Sequence, residues 1–270
     1  MKNDYELLKY LALTRMKGLG PITQNSLVYC CGGIDPCFEA DLSDLLYLDE
    51  IKLPKGSRIG RRRIQSFFTQ REEKSIWKEA EKILKQSESS GIQVICAEDN
   101  EFPERFSNLR DLPVVLYLKG YLRINDFCES VGIVGARRCT AEGKRRAIDR
   151  AMKAVLRNEA VISGMAKGID SYAHTAAIKA SGYTIAVLGS GVDICYPKEH
   201  ERLYEEIAIH GCVLSEYPPG TPPMEYNFPR RNRLIAGLSD RLYVIDAGRN
   251  SGTSSTVEYS RKYGREIIAD

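Results

Sequence analysis

The sequence lacks the long apolar run that a membrane span needs, and its N-terminus lacks the pattern of a secretory signal. In the stretch MKNDYELLKYLAL, charged side chains interrupt the apolar residues, so no cleavable leader is expected. The eight cysteines include no C-x-x-C pair, and their spacing fits neither a zinc site nor a secreted disulfide framework. These absences predict a cytoplasmic protein with no membrane partner and no metal site.

Several signatures of nucleotide and acyl chemistry are also missing. No G-x-G-x-x-G follows a predicted strand, and no G-x-x-x-x-G-K-[ST] marks a P-loop. Ser163 lies in S-G-M rather than in the G-x-S-x-G elbow of a serine hydrolase, and no histidine is placed by sequence to serve it. Since no His, Asp and Glu cluster has metal-ligand spacing either, the sequence predicts no catalytic residue, cofactor or metal ion.

Bulk charge is scarce as well, because the formal net charge is only +3. A charge of this size does not hold nucleic acid by general attraction, so any such binding must rest on local basic patches. The cation cluster SRIGRRR at 57–63 is one such patch. A solvated surface is its commoner role, and an accessory contact with nucleic acid is the alternative.

The most informative stretch that is present is 131–170, which reads as strand, turn, helix, strand, turn, helix. Its first apolar run ends at Gly135 and its second at Ser163-Gly164. This alternation is typical of a parallel sheet with crossover helices, whose ligands bind beyond the carboxyl ends of the strands. Both turns lie at that edge and offer glycines, backbone N–H groups and a cation, Arg137 or Lys167, which together suit a phosphate.

The remaining pattern predicts an α/β class, with a parallel or mixed sheet flanked by helices. Further strands are predicted at 93–96, 114–118, 184–188, 212–214, 242–245 and 267–269, and helices at 66–86, 199–210, 234–238 and from 250 to 263. Residues 1–70 look helical instead. We therefore predict a small helical domain over 1–70 and a sheet domain over 71–270, with the boundary near Gln70.

The turn Met16–Pro21 lies between two predicted helices of the first domain. Its G-x-G spacing resembles a helix-hairpin-helix, whose turn amides can meet a DNA phosphate. One short turn is weak evidence, so a plain helical hairpin in a small bundle is favoured.

Three side chains near the predicted strand ends have two interpretations each. Phe228 could stack on a nucleic-acid base or pack under the sheet beside Pro229. Asp170 could act as a base, but a cap or a hydrogen bond to the turn at 163–164 is the commoner role of Asp there. Glu216 also has two interpretations: it could act as a base, or it could only order the loop before Pro218.

Six motifs in this order resemble the DNA-processing protein A family, also called DprA or Smf. They are GIVGARR (132–138), SGMAKGIDSYAH (163–174), TIAVLGSGVDICYP (184–197), GCVLSEYPPGTPP (211–223), NFPRRNRLIAGLS (227–239) and NSGTSSTVE (250–258). The lead-in EFPERFSNLRDLPVVLYLKG (101–120) is also similar, so the resemblance spans 102–268. LALTRMKGLGP (11–21) resembles the family's small helical, sterile-alpha-motif-like domain.

The resemblance implies an extended Rossmann-like domain that binds single-stranded DNA. It further implies a protein of natural transformation and recombination that protects single strands and helps to load the RecA recombinase, without a cofactor or an enzymatic step. RecA and a second copy of the chain are the implied protein partners. The implied DNA-binding residues are the turn glycines, hydroxyls, cations and one aromatic, namely Gly135, Arg137, Ser163, Gly164, Lys167, Gly189, Gly191, Lys198, Phe228, Arg230, Arg231, Arg233, Ser251, Gly252 and Thr253.

Two departures from the family pattern qualify these implications. Family members usually continue past the last strand with a Pro-Gly turn and further helices, where dimer and recombinase contacts largely lie, whereas this sequence ends at Asp270. Dimerisation and RecA loading are therefore less secure than DNA binding. In addition, Ser254–Val257 replaces a more apolar stretch of the family's S-G-S-x-x-T-A motif.

The alternative function is a small-nucleotide sensor or a phosphoribohydrolase-like enzyme of the same superfamily. Those enzymes carry G-G-x-G-T-x-x-E, but here Thr256 stands where the Glu would be, and Glu258 comes two residues late. This spacing argues against hydrolysis but not against nucleotide binding. A third hypothesis is an adaptor whose main partner is a protein.

Overall fold

The computed structural model describes residues 4–48, 59–109, 111–248 and 252–270. The chain divides into two compact units. The first comprises Met1–Ser90, Val94–Phe102 and Arg110–Val115, and the second comprises Gly91–Gln93, Pro103–Leu109 and Leu116–Asp270. The domain boundary expected near Gln70 divides the chain at a different place and stays a prediction.

The first unit is mainly helical, as the sequence indicated. Its helices are α1 (Asp4–Arg15), α2 (Pro21–Cys31), α3 (Ile34–Glu39), α4 (Leu42–Tyr47), α5 (Arg61–Gln70) and α6 (Lys74–Ser89), followed by the strand β1 (Gln93–Cys96). The first two helices flank the predicted turn, and α1 packs mainly against α6 rather than against α2. Gln70 fastens this turn, because Lys17 N donates to its Oε1 at 2.7 Å and its Nε2 donates to Lys17 O at 3.0 Å.

Two helices, α5 and α6, replace the single helix predicted over 66–86, so that prediction was wrong. The chain turns between Gln70 and Lys74. Hydrogen bonds that local periodicity does not reveal hold the turn: Trp77 Nε1 donates to Arg71 O at 2.7 Å, and Arg71 Nη1 donates to Ala40 O at 2.7 Å. Tertiary contacts here override a continuous helical pattern.

The second unit alternates strands and helices. Its strands are β2 (Val115–Gly120), β3 (Ser130–Gly135), β4 (Ala160–Ser163), β5 (Thr184–Val187), β6 (Cys212–Ser215), β7 (Arg241–Ile245) and β8 (Glu266–Ala269). Its helices are α7 (Ala141–Leu156), α8 (Ile169–Lys179), α9 (Glu201–His210), α10 (Asn227–Leu238) and α11 (Ser254–Lys262), with short 3₁₀ turns at Glu104–Phe106, Ile124–Asp126 and Lys198–His200.

The described strands form one eight-stranded sheet in the order β1-β2-β6-β5-β4-β3-β7-β8. Strands β3 to β8 pair in parallel, and β2 pairs with β6 in the antiparallel sense. Val131 lies between Val161 and Arg241 in the register, so β3 is an interior strand between β4 and β7. The prediction of an α/β fold with a mixed sheet flanked by helices is confirmed. From β3, the chain adds β4, β5 and β6 on one side of the sheet and then β7 and β8 on the other side. The carboxyl ends of β3 and β7 therefore flank a topological switch point, which is where folds of this kind bind ligands.

Small residues let the helices approach the sheet closely. Ala147, Ala151 and Ala154 lie on one face of α7 and are buried against α8 and the central strands. Thr140 caps α7, since its Oγ1 accepts from Gly143 N at 2.9 Å. The i, i+4, i+7 pattern that predicted this helix is therefore the pattern that buries it.

Helix α10 begins at Asn227 rather than at Leu234, which corrects the predicted start. Pro229 lies in the first turn of this helix. A proline in the first turn of a helix has no intrahelical partner for its nitrogen to lose, so a helix tolerates it there. Because the helix starts at Asn227, Arg230, Arg231 and Arg233 all lie within it, and their positions around the helix decide which of them are buried.

Candidate functional site

Two turns at the carboxyl edge of the sheet pack closely against each other. Gly168 has a φ of +80°, and a Cβ there would lie 2.3 Å from Ala136 O. Ile169 N donates to the same carbonyl at 3.2 Å, which ties the turn after β4 to the turn after β3. Gly135 is equally constrained, because a Cβ there would lie 2.1 Å from Ile245 O. These glycines bring the two turns together at one edge.

A depression of about 90 Å³ opens at this edge, and we call it the strand-end depression. Its residues come from the turns after β3, β4 and β5 and from the start of α10. They are Arg137, Gly164, Ala166, Lys167, Leu188, Gly189, Ser190, Tyr196, Pro197, Phe228 and Arg231. Six residues predicted from the sequence therefore come together here: Arg137, Gly164, Lys167, Gly189, Phe228 and Arg231.

Two aromatic rings form one side of the strand-end depression. The ring centroids of Phe228 and Tyr196 are 5.4 Å apart, and the rings are tilted by 31°. Phe228 also packs against Gly189, where a Cβ would lie 2.9 Å from Phe228 Cδ1. Phe228 is half-buried and Tyr196 is exposed. Tyr196 was not singled out from the sequence, because it stands in the loop well beyond the end of β5 at Val187.

The exposed cations differ in how they are paired. Arg137 is exposed and forms no ion pair with any residue that the structure describes. Lys167 Nζ lies 2.8 Å from Glu199 Oε1, and both side chains are largely exposed. Lys198 and Arg230 are exposed outside the strand-end depression, and the Arg230 guanidinium lies 5.8 Å from the ring of Tyr226.

Two of the predicted DNA contacts, Arg231 and Arg233, are instead buried in α10. Arg231 Nη1 donates to Gly164 O at 3.0 Å and also to Val187 O. Burial lowers the pKa of Arg231 to about 10. Arg233 forms a buried ion pair with Glu216, so Glu216 fastens the end of β6 to the helix. The role of Arg231 and Arg233 as DNA contacts stays a prediction, and in the structure their guanidinium groups contact oxygen atoms of this chain.

Several predicted hydrogen-bond donors are already engaged within the protein. Ser163 Oγ donates to Ile133 O at 2.6 Å, and Gly191 N donates to Thr221 O at 2.9 Å. Gly164 N donates to Asp170 Oδ2 at 3.1 Å, which confirms that Asp170 bonds the turn after β4. Burial raises the pKa of Asp170, and the charge of Arg231 opposes that shift.

The turn after β7 carries the last group of predicted residues. Ser251 lies outside the described residues, Gly252 is exposed and Thr253 is buried. Gly252 O accepts from Asn232 Nδ2 at 3.1 Å, which ties this turn to α10. Gly252 and Thr253 do not line the strand-end depression.

Two further searches cover only the described parts of the chain. None of the described helices combines the length and apolar character required to cross a membrane. Within the same ranges, no group of His, Cys, Asp or Glu side chains is arranged to hold a metal ion.

Comparisons with known proteins agree with this architecture. The model of the family described as DNA recombination-mediator protein A matches residues 93–270. Protein Smf of Synechocystis is 33% identical over 268 residues, which cover 96% of this chain and 63% of that protein. The chain thus spans less than two thirds of the length of this relative.

Two solved structures are similar as well. The X-ray structure of DNA processing protein A from Streptococcus pneumoniae matches with a TM-score of 0.73 and 29% identity, covering 99% of this chain and 86% of that one. DNA processing protein A from Helicobacter pylori, whose structure concerns its single-stranded DNA binding mode, matches with a TM-score of 0.60 and 31% identity over 66% of this chain and 80% of that one. This chain belongs to the DNA recombination-mediator protein A family.

Proposed function

We propose that the strand-end depression binds single-stranded DNA. The observation that carries this proposal is the juxtaposition of Arg137, which forms no ion pair with a described residue, the rings of Phe228 and Tyr196, and the glycine turns. Arg137 and Lys167 would meet backbone phosphates, and an aromatic ring would stack on a base. The single-stranded DNA binding of the Helicobacter pylori relative supports single-stranded DNA as the ligand.

The size of the strand-end depression favours a polymer over a small nucleotide. Its volume of about 90 Å³ is well below the roughly 300 Å³ at which small-molecule sites begin. A nucleotide sensor would need to enclose its ligand, whereas an extended strand can cross an open edge. Incubation with AMP tests the alternative, because release of adenine above a buffer blank would support a phosphoribohydrolase.

The cellular role follows from the family and is part of the same proposal. The chain would act in the cytoplasm on single strands during natural transformation and recombination, protecting them and helping to load RecA, with no catalytic step or cofactor of its own. A second copy of the chain would be a further partner. A RecA filament-assembly assay on DNA coated with a single-strand-binding protein tests the loading role.

The binding experiment uses fluorescence anisotropy with a labelled dT oligonucleotide and a duplex of equal length over a salt series. We expect tighter binding to the single strand, with an affinity that falls as salt rises, because phosphate contacts release counterions. Stacking tolerates any base, so other unstructured sequences should bind similarly. Equal binding to the duplex, or no binding, would contradict the proposal.

A further inference from the structure

Arg231 connects turns from neighbouring strands to the helix that carries Phe228. Its side chain is 6% exposed. Nη1 donates to Gly164 O at 3.0 Å, just beyond β4, and to Val187 O, at the end of β5. Nε donates to Asn232 Oδ1 at 3.0 Å. One guanidinium thus joins two strand ends to α10 at the wall of the strand-end depression.

Asp170 supplies the opposite charge from α8. Its Oδ2 accepts from Gly164 N at 3.1 Å and from Ala166 N at 3.4 Å. A Cβ at position 164 would lie 2.9 Å from this oxygen and 2.7 Å from Arg231 Nη2. The Asp170 carboxylate and the Arg231 guanidinium therefore both pack against Gly164 and leave no space for a side chain at that position. Each charge partly offsets the cost of burying the other.

Asparagine side chains extend these connections to further turns. Asn232 Nδ2 donates to Gly252 O at 3.1 Å and to Ser255 Oγ at 2.9 Å, at the start of α11. Asn227 Nδ2 donates to Gly189 O at 2.9 Å, in the turn after β5. The turns after β4, β5 and β7 are consequently fastened to the same short stretch of α10.

We propose that Arg231, with Asp170 and Asn232, forms a positioning network for the single-stranded DNA site and does not itself contact phosphate. This inference rests on the proposed function. The network would hold the glycine turns at a fixed spacing from Phe228, so that Arg137 and the aromatic rings can engage one strand together. Arg231 Nε and Nη1 already donate to protein oxygens, and turning the guanidinium outward would leave Gly164 O and Val187 O unpaired in the interior, where unpaired carbonyls are costly.

The salt dependence of binding separates a positioning arginine from a phosphate-binding one. Anisotropy of a labelled dT oligonucleotide is measured over a salt series for the wild type, Arg137→Ala and Arg231→Gln. Arg137→Ala should make the slope of log K against log salt shallower by about 0.7, the value for one phosphate contact on a single strand. Arg231→Gln should weaken binding about tenfold at each salt concentration, a coupling typical of groups in one network, with an unchanged slope. A slope as shallow as that of Arg137→Ala would overturn the inference.

Further variants keep the test decisive, because Arg231→Gln leaves the Asp170 carboxylate buried without its cation. Asp170→Asn combined with Arg231→Gln removes both charges and should recover affinity relative to Arg231→Gln alone. Arg231→Lys keeps a cation beside Asp170 and should retain most of the affinity. Asn232→Ala removes the bonds to Gly252 O and Ser255 Oγ and the acceptor of Arg231 Nε, while both buried charges stay in place, and should weaken binding with the wild-type slope.

Thermal unfolding of every variant identifies a purely structural role. Wild-type affinity in Asn232→Ala, measured below its unfolding temperature, combined with no recovery in the double variant, would overturn the inference while leaving the proposed function intact. If the wild type does not bind the oligonucleotide, the proposed function fails and the inference falls with it.

Discussion

The turn after β3 and the first turns of α10 are both rich in arginine, but they place it differently. Arg137 is exposed and unpaired with any described residue, whereas Arg231 and Arg233 are buried with carbonyl or carboxylate partners. Arg230, next to Arg231 in sequence, is again exposed. A basic residue in a family motif is therefore not by itself a contact with nucleic acid, because the helix start decides which side chains turn inward.

The largest expected effect comes from Arg233→Ala, which would leave the Glu216 carboxylate buried without its partner. Breaking a buried pair in this way should lower the free energy of unfolding by about 3 kcal/mol. Urea unfolding measures the change. Arg230→Ala is the matched control, and an exposed substitution of this kind should change stability by less than about 0.5 kcal/mol. Equal effects of the two variants would erase the distinction between buried and exposed arginines.

A somewhat smaller effect is expected from Gly168→Ala. The substitution places a Cβ 2.3 Å from Ala136 O at a residue with a φ of +80°. Strain of this kind should lower the free energy of unfolding by about 2 kcal/mol, and displacement of the turn that carries Arg137 should weaken DNA binding. Gly248→Ala is the control, because nothing lies within 4 Å of a Cβ at that position. If both variants bind DNA alike, close packing of the turns does not set the site.

Phe228→Ala tests the aromatic side of the strand-end depression. Loss of one stacked base should weaken single-strand binding by at least about 1 kcal/mol and leave the salt slope unchanged. Tyr226→Ala is the control, since Tyr226 is exposed outside the strand-end depression. A Phe228 variant that binds like the Tyr226 variant would show that Phe228 only packs against Gly189.

The smallest effect is expected at Lys167, whose ammonium already lies 2.8 Å from the Glu199 carboxylate. Glu199→Gln frees this cation and should strengthen single-strand binding slightly at low salt, because exposed ion pairs are weak and screened. The gain should vanish in the Lys167→Ala background. Anisotropy at two salt concentrations measures both variants, and a gain that persists without Lys167 would assign the effect to another cation.

The positions of the strands and turns along the chain could be predicted from the sequence, because apolar runs that end in glycine are typical of a parallel sheet. The alanine spacing of α7 and the bond from Asp170 to its turn were also predictable, since both depend on neighbours in sequence. These local signals carried the fold class.

Side-chain direction was not predictable where it depends on distant contacts. The inward turn of Arg231 depends on Gly164 O and Val187 O, and the start of α10 at Asn227 decides it. The break between α5 and α6 likewise depends on the contact of Arg71 with Ala40. No local pattern reports such contacts.

Photocrosslinking tests the central claim most directly. A dT oligonucleotide carrying one 5-iodouracil is irradiated with the wild-type protein, and the adducts are located by mass spectrometry. Stacking in the strand-end depression predicts adducts on Phe228 or Tyr196, lost in Phe228→Ala and Tyr196→Ala respectively. Adducts found only in the helical unit, or unchanged by both substitutions, would contradict the assignment of the single-stranded DNA site.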